Sequence, residues 1–220
     1  MILIPVKNLS TAKQRLAAVL DQGARTELAQ AMLHDVVSAL AAWTRRPACA
    51  LVTSDSFATE LAREYDFEII PDPANPGETG AIEMATQVCV ERGVDSTIVI
   101  PADIPLIQAS ELELILERAP EKGSVLAPAA DGRGTNAAFR RPANLFPLRF
   151  GNDSFKPHLA AAQATGKPCF VLQLPTVAID VDNPEDLHRL LAYRGETRSQ
   201  SLLRKWMLDG RLLAKGSKVS

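Results

Sequence analysis

Three basic side chains follow the first apolar segment of the chain, and their spacing suits the binding of a polyphosphate. Lys7, Lys13 and Arg15 fall within nine residues, directly after the short apolar run ILIPV. Such a run is typical of a buried parallel strand, and a strand that leads into a basic loop and a helix presents backbone N–H groups and positive charge to phosphates. Ser10 or Thr11 would cap that helix. A solvated basic turn after an ordinary first strand would show the same pattern.

Two acidic segments further along offer ligands for a divalent cation. Asp103 lies in PADIP, just after a strand predicted at 96–100, and the flanking prolines stiffen its backbone. Asp180 and Asp182 follow a strand predicted at 177–179. Ligands bind at the carboxyl edge of open α/β sheets, and Mg²⁺ takes one or two carboxylates together with phosphate oxygens and water. Asp103 with Asp180 would meet that pattern, and turn or helix-capping aspartates are the alternative.

Other polar loop residues are candidates for contacts with a nucleotide. Ser54 and Asp55 follow the second predicted strand, where they can contact a base or ribose or cap the next helix. The loop predicted at 74–80 contains NPGETG, whose glycines, Gly80 among them, allow close backbone approach to a ring or a phosphate. A plain surface loop would have the same composition.

Two later loops have the composition of substrate-binding elements. Thr135 lies in DGRGTNAAF, between glycines and a predicted strand. Gly151 and Ser154 lie in FGNDSF at a predicted helix start, where free N–H groups and the helix dipole favour an anion. Asp153 and Ser154 can equally be simple helix caps.

Alternating strand-like and helix-like segments position these residues. Strands are predicted at 2–6, 49–53, 67–70 and 96–100, with helices behind the cap Asp21 and at 57–63, 81–91 and 110–119. Four β–α units in a row favour an α/β fold with a mostly parallel, doubly wound sheet. Strands predicted at 125–128, 136–140 and 169–173, with a helix at 155–165, indicate an antiparallel edge region suited to an acceptor pocket.

Composition narrows the classes of function. The net charge of −2 gives no overall field to attract nucleic acid or anionic lipid, and three scattered cysteines form no CxxC pair. No apolar stretch approaches the roughly 20 residues that a membrane span needs, and no signal peptide is evident, so a cytoplasmic protein is expected.

The sequence has no Ser-His-Asp pattern or GxSxG elbow. The three histidines fall in predicted helices near no evident partner, and none is assigned a catalytic role.

The segments IPVKNLSTAKQRLA, VTSD, PADIP, GTNAAF, FGNDSF and DVDNPEDL together resemble the guanylyltransferases of deazaflavin coenzyme F-420 biosynthesis, in order over residues 1–192. The chain is more distantly similar to molybdenum-cofactor and sugar nucleotidyltransferases. The resemblance implies a Rossmann-like, GT-A-type nucleotidyltransferase domain over 1–194. Residues 195–220 would then form an amphipathic extension and a basic tail, which would pack on a partner subunit or fold back over the site. The apolar residues around Trp206 suggest a homodimer contact.

The resemblance also assigns roles. The phosphates of GTP would be held by Lys7, Lys13 and Arg15, and Mg²⁺ would be bound by Asp103 and Asp180. A phosphorylated acid would be bound by Thr135, Gly151 and Ser154. The nucleotide would also be contacted by Ser54, Asp55 and Gly80. Relatives often have GLNAAL ahead of the helix at 81–91, where this chain has GAIE at 80–83, which leaves guanine recognition open.

The reaction implied is attack by an acceptor phosphate on the α-phosphorus of GTP, with release of pyrophosphate. The acceptor would be 2-phospho-L-lactate, phosphoenolpyruvate or 3-phospho-D-glycerate. A nucleotidyltransferase for another acceptor, such as molybdopterin or a sugar phosphate, and a catalytically silent nucleotide-binding regulator are the alternatives.

Overall fold

The chain folds into a seven-stranded sheet with helices on both faces. The computed structural model describes residues 1–74, 77–151 and 153–209. The strands are β1 (Ile2–Pro5), β2 (Cys49–Val52), β3 (Glu68–Ile70), β4 (Thr97–Val99), β5 (Gly123–Pro128), β6 (Thr135–Arg141) and β7 (Cys169–Val171). The helices are α1 (Gln22–Ala41), α2 (Ser56–Glu64), α3 (Glu78–Glu91), α4 (Ala109–Arg118), α5 (Phe155–Ala164), α6 (Pro184–Ala192) and α7 (Arg198–Leu208).

The strand order is β3-β2-β1-β4-β6-β5-β7. β1 pairs in parallel with β2 and β4, β2 pairs in parallel with β3, and β6 is antiparallel to both of its neighbours, β4 and β5. β7 runs parallel to β5 at the edge. The predicted α/β class, with a mostly parallel sheet and an antiparallel edge region, is therefore confirmed.

The first strand shows why these segments form a two-sided core. All four residues of β1 are buried, and successive side chains of a strand point to opposite faces. Ile2 and Ile4 accordingly pack with Leu33 and Val37 of α1 on one face of the sheet, while Leu3 packs in the other cluster, which includes residues of α3 and α5. A strand covered on both faces has to be apolar throughout, which explains the uninterrupted run in the sequence.

A third apolar cluster joins α1 to α6 and α7. Leu203 and Trp206 of α7 are buried there, with Trp206 only 1% exposed. Asp35 of α1 fixes the start of α7, because its carboxylate accepts hydrogen bonds from the backbone N–H groups of Arg198 and Ser199 at 2.7 and 2.9 Å. Trp206 therefore packs within its own chain and is not an exposed dimer contact. Homodimerisation and the division of the chain at residue 194 stay predictions, and residues 210–220 lie outside the described part.

Three sequence expectations about local structure are wrong. The segment after β1 forms two short 3₁₀ turns, Leu9–Thr11 and Gln14–Leu16, and not the predicted helix capped by Ser10 or Thr11. Asn8 caps the first turn by accepting from the N–H of Ser10, and Lys13 has left-handed backbone geometry with φ of 55°. That break in the backbone prevents one continuous helix, because a side chain at positive φ ends regular α-geometry.

Residues 177–181 are not a strand, although they have the expected apolar composition. They form a turn in which Ala178 N–H donates to Leu174 O and Ile179 N–H donates to Thr176 O. Val177 and Val181 are buried although the segment joins no strand of the sheet, so burial and not strand pairing explains these two apolar residues. Helix α3 also begins earlier than expected, at Glu78, which places Gly80 in the first helical turn and not in a loop.

Within the described residues, no helix is long and apolar enough to cross a membrane.

Candidate active site

The topology brings three loops to one edge of the sheet. β1 and β4 are parallel neighbours, with Leu3 opposite Val99, so the basic loop after β1 and the PADIP segment after β4 leave the sheet side by side. β6 is antiparallel to β4, with Val99 opposite Ala138, so its first residue, Thr135, lies at the same edge. Side chains that are 30 to 130 residues apart in the sequence therefore share one surface.

Lys13 lies at the centre of this surface. Its Nζ is 2.5 Å from Asp103 Oδ2 and 2.9 Å from Asp182 Oδ1, and its side chain is only 9% exposed. Burial alone would lower the pKa of Lys13, but the charges of Asp103 and Asp182 outweigh it and raise the pKa above its usual range. Lys13 therefore stays a cation at any physiological pH, and it holds the two acidic segments together.

The other two predicted cations are more accessible. Lys7 Nζ pairs with Asp72 Oδ2 at 2.8 Å, and Arg15 NH1 lies 3.3 Å from Asp182 Oδ2. Their side chains are 31% and 61% exposed. Lys7, Lys13 and Arg15 all line one cavity of about 330 Å³, so the structure brings the three together. The Arg15–Asp182 pair is exposed on both sides and therefore weak, which leaves Arg15 able to exchange its carboxylate for a phosphate, whereas buried Asp72 holds Lys7 in place.

Asp180 reaches the site from the turn at 177–181. Val181 N–H donates to Asp103 O at 3.1 Å, which ties the two acidic segments together through their backbones. Asn136 holds the carboxylate, since its Nδ2 donates both to Asp180 Oδ1 at 3.1 Å and to Val177 O at 2.9 Å. Burial, and then the negative charge of Asp103, raise the pKa of Asp180 to about 6. A carboxylate whose pKa is raised by the charge of a neighbouring carboxylate is a natural place for a cation.

The donor set fits Mg²⁺. Asp103 and Asp180 offer hard carboxylate oxygens, and both line a second cavity of about 420 Å³. This larger cavity is lined by six acidic side chains and two arginines, namely Glu78, Asp103, Asp131, Asp153, Asp180 and Asp182 with Arg15 and Arg133. An excess of negative charge would repel an anionic substrate unless cations were bound with it. Mg²⁺ usually combines one or two carboxylates with phosphate oxygens and water.

The larger cavity also contains the predicted acid-binding residues. Thr135, Gly151 and Ser154 line it, and Ser154 stands at the N-terminus of α5. The side chain of Ser154 makes no capping hydrogen bond; its Oγ lies 3.3 Å from Thr135 Oγ1 and donates to it. Asp153 does not cap the helix either but pairs with Arg133. The N–H of Phe155 donates to Arg133 O at 2.8 Å and Pro157 has no N–H, so the first turn of α5 offers an anion the N–H of Lys156 together with the helix dipole.

The expectation that the histidines lack partners is wrong for two of them. His34 bonds to Ser38 and Tyr65 on the far side of α1. His158, 1% exposed, lies beneath the larger cavity, where Nδ1 is 2.9 Å from Thr135 Oγ1 and Nε2 is 2.8 Å from the backbone nitrogen of Arg149. No signal in the sequence pairs His158 with Thr135, because the two residues belong to different elements and are 23 positions apart.

The predicted nucleotide contacts are placed differently. Asp55 is the N-cap of α2: Oδ1 accepts from Ala58 N–H at 3.1 Å and Oδ2 from Leu9 N–H at 3.0 Å. Ser54 Oγ accepts from the N–H of Asp72 at 3.2 Å. Ser54, Asp55 and Gly80 are not among the described residues that line the two cavities, so their contact with a nucleotide stays a prediction. Asn75 and Pro76 of the NPGETG loop lie outside the described residues.

Sequence reasoning missed Glu78 and Asp72. Glu78 lines both cavities, and burial, followed by the charge of Asp103, raises its pKa to about 7. Asp72 is 4% exposed and holds Lys7. Both residues follow β3 in a turn-rich segment, where single acidic residues are common and carry no distinguishing signal.

A family model described as "Guanylyl transferase CofC like" matches residues 1–218 of the chain. The chain belongs to this family. A phosphoenolpyruvate guanylyltransferase from Rubrobacter xylanophilus is 39% identical over 194 residues, which cover 87% of this chain and 93% of the relative. A 2-phospho-L-lactate guanylyltransferase from Methanothermobacter thermautotrophicus is 33% identical over 203 residues, which cover 92% of this chain and 89% of the relative.

Solved structures show the same architecture. A protein from Desulfovibrio desulfuricans G20, described as a nucleotide-diphospho-sugar transferase, superposes with a TM-score of 0.75 at 19% identity, covering 94% of each chain. A nucleotidyl transferase from Methanothermobacter thermautotrophicus superposes with a TM-score of 0.59 at 17% identity, covering 93% of this chain and 99% of the other. The fold is therefore that of the nucleotidyltransferases, as the sequence predicted.

Proposed function

We propose that this protein transfers GMP from GTP to a three-carbon phosphorylated acid, with release of pyrophosphate, and that it does so with Mg²⁺ in coenzyme F-420 biosynthesis. Membership of the guanylyltransferase family supports the reaction. One observation carries the proposal: two cavities meet at a shared wall that includes Arg15, Asp103 and Asp182. One cavity supplies cations and the other supplies hydroxyls and a helix N-terminus, so two anionic substrates would meet at the acidic wall.

The basic side chains bind the nucleotide phosphates in this proposal. Arg15 exchanges its exposed partner Asp182 for phosphate oxygens, and Lys7, held by buried Asp72, adds a phosphate oxygen to its contacts. Buried Lys13 keeps its position between Asp103 and Asp182. The charge of Lys13 is thus held where negative charge develops as pyrophosphate departs. Preorganised charge of this kind is effective because it needs no rearrangement during the reaction.

Asp103 and Asp180 would hold Mg²⁺. The ion, when bound, neutralises phosphate charge and orients the phosphate oxygens. Asn136 keeps Asp180 in place by donating to its Oδ1, and the backbone bond from Val181 to Asp103 keeps the two carboxylates together.

The acceptor acid binds in the larger cavity. Thr135 and Ser154 offer hydroxyl groups beside Gly151, and the N-terminus of α5 offers its dipole and the backbone N–H of Lys156. The attacking phosphate is already an anion, so the reaction needs no strong general base. Positioning of the two substrates and neutralisation of charge supply the acceleration.

Relatives are named for two acceptors, phosphoenolpyruvate and 2-phospho-L-lactate. These two acids and 3-phospho-D-glycerate are the candidate acceptors for this chain. Pyrophosphate release from GTP and Mg²⁺, measured with each acid separately and with all three in competition, tests the proposal. One strongly preferred acid is the expected result. Release with none of them, although GTP binds, would contradict the proposed acceptor class. Cytoplasmic location stays a prediction.

A further inference from the structure

A chain of hydrogen bonds runs beneath the larger cavity from the backbone of Arg149 through His158 to Thr135. The N–H of Arg149 donates to Nε2 of His158 at 2.8 Å. A backbone amide can only donate, so Nε2 carries no proton. A neutral imidazole with a bare Nε2 carries its proton on Nδ1, and Nδ1 lies 2.9 Å from Thr135 Oγ1. The geometry therefore makes His158 a donor to the Thr135 hydroxyl.

The direction of this bond decides what Thr135 can offer to a ligand. Its oxygen already accepts from His158, and Ser154 Oγ, 3.3 Å away, donates to it as well. With two protons directed at its oxygen, Thr135 has its own hydroxyl proton left to donate. Thr135 is 4% exposed and lines the larger cavity, so that proton is available to a group bound there. A donated proton is what an anionic oxygen accepts.

We propose that His158 is a positioning residue for the acceptor acid: it fixes the Thr135 hydroxyl as a donor toward the bound anion and holds the 149–151 segment against the cavity. The inference rests on the proposed function for the identity of the anion. His158 acts through Thr135 and does not itself line the larger cavity among the described residues.

The surroundings of His158 keep the ring in one state. Phe150, which lines the cavity, meets the imidazole edge-on with ring centroids 5.1 Å apart. Burial, and then the positive charge of Arg140, lower the pKa of His158 to about 4. Arg140 is itself buried and donates to Phe146 O and Thr86 Oγ1. A neutral ring with one fixed tautomer presents the same donor at every physiological pH.

Steady-state kinetics with both substrates varied separate a positioning role from a structural one. For His158→Leu, which removes the donor, we expect KM for the preferred acid to rise about tenfold, roughly the loss of one hydrogen bond to a charged group, while KM for GTP changes less than twofold. Gln at this position carries both a donor and an acceptor, so His158→Gln should return KM for the acid to within about threefold of wild type. His34→Leu is the matched control, because it removes a partly buried, hydrogen-bonded histidine that lines neither cavity.

Thr135→Val completes a double-mutant cycle. If His158 acts through Thr135, KM for the acid in the His158→Leu, Thr135→Val double variant should match that of Thr135→Val alone to within about twofold. Independent, multiplicative effects, or equal increases of KM for GTP and for the acid, would overturn the proposal.

A spectroscopic measurement needs no turnover. Nitrogen-15 NMR of the wild-type imidazoles at pH 7 should show His158 protonated on Nδ1 and bare on Nε2. The opposite tautomer would overturn the proposal even if the kinetics agreed. Turnover of the wild type in the steady-state kinetic assay tests the proposed function separately. Without turnover the assignment of the acceptor fails, while the NMR result still decides whether the hydrogen-bond chain exists.

Discussion

Replacing Asp103 with asparagine should abolish most turnover while the protein stays folded. The substitution keeps the shape of the side chain and removes its charge, so Asp180 would be left as the single carboxylate of the pair. Loss of one charge-stabilising group costs about 10²–10³ in kcat, or roughly 3–4 kcal/mol of transition-state stabilisation. We expect at least that decrease at saturating GTP, acid and Mg²⁺.

The structure also limits the effect on stability. Lys13 keeps its 2.9 Å contact with Asp182, and the asparagine oxygen can still accept from Nζ. The loss is then the charged part of one hydrogen bond, about 1–2 kcal/mol, which in a chain of this size lowers Tm by roughly 2–8 °C. Removing Lys13 instead would leave two carboxylates uncompensated and would confuse the two effects.

Asp182→Asn is the matched control, since it removes an equal charge from the other partner of Lys13. Asp182 is not assigned to the metal, so kcat should fall no more than about tenfold, the cost of weakening the hold on Lys13. Pyrophosphate release measured for the three proteins, with Tm recorded for each, makes the comparison. A rate for Asp103→Asn within tenfold of wild type, or equal decreases for both variants, would refute the metal assignment.

Three further predictions follow from burial and charge. The apparent KM for Mg²⁺ should rise about tenfold per pH unit below pH 6, because protonation removes Asp180 as a ligand; a flat profile would contradict its role. The pKa of His158 is lower in the folded chain than in the unfolded chain, so unfolding binds protons and stability is lost as pH falls from 6.5 toward 4. In urea titrations over that pH range, the free energy of unfolding of the wild type should fall by up to about 3 kcal/mol more than that of His158→Gln. Equal decreases for the two proteins would contradict a neutral, buried His158 ring. Trp206→Ala should lower the free energy of unfolding, measured by urea titration, by about 3–5 kcal/mol without changing KM for either substrate. A decrease below about 1 kcal/mol would show that α7 does not pack in the core.

Much of the fold was predictable because local signals and tertiary structure agree. The apolar run of β1 is buried on both faces, as such runs are, and Asp21 caps α1 by accepting from Ala24 N–H at 2.8 Å. Pro184 occupies the first turn of α6 behind the cap Asn183, a combination that is itself a sequence signal for a helix start. Segments with periodic burial and chemical start signals are recognisable without tertiary information.

The errors arise where tertiary contacts override local pattern. Residues 177–181 have a strand-like composition, but backbone bonds within the turn and to Asp103 take the place of a strand ladder. The left-handed backbone of Lys13 goes together with side-chain contacts to Asp103 and Asp182, and those partners are 90 and 169 positions away. No local window contains that information.

The candidate site was predictable by residue type and less so by partnership. Basic, acidic and hydroxyl residues at strand ends indicated a phosphate and metal site, and the structure brings Lys13, Asp103, Asp180 and Thr135 to one edge of the sheet. The supporting residues Asn136 and His158 could not be found from the sequence, because their function lies in contacts between distant elements.

Phosphorus-31 NMR of a reaction of the wild-type protein with GTP, Mg²⁺ and the preferred acid tests the central claim most directly. The account predicts equal amounts of pyrophosphate and of a new phosphoanhydride that joins GMP to the phosphate of the acid, with both signals lost when EDTA removes the metal. Orthophosphate as the only product, or consumption of GTP that does not depend on the acid, would contradict guanylyl transfer.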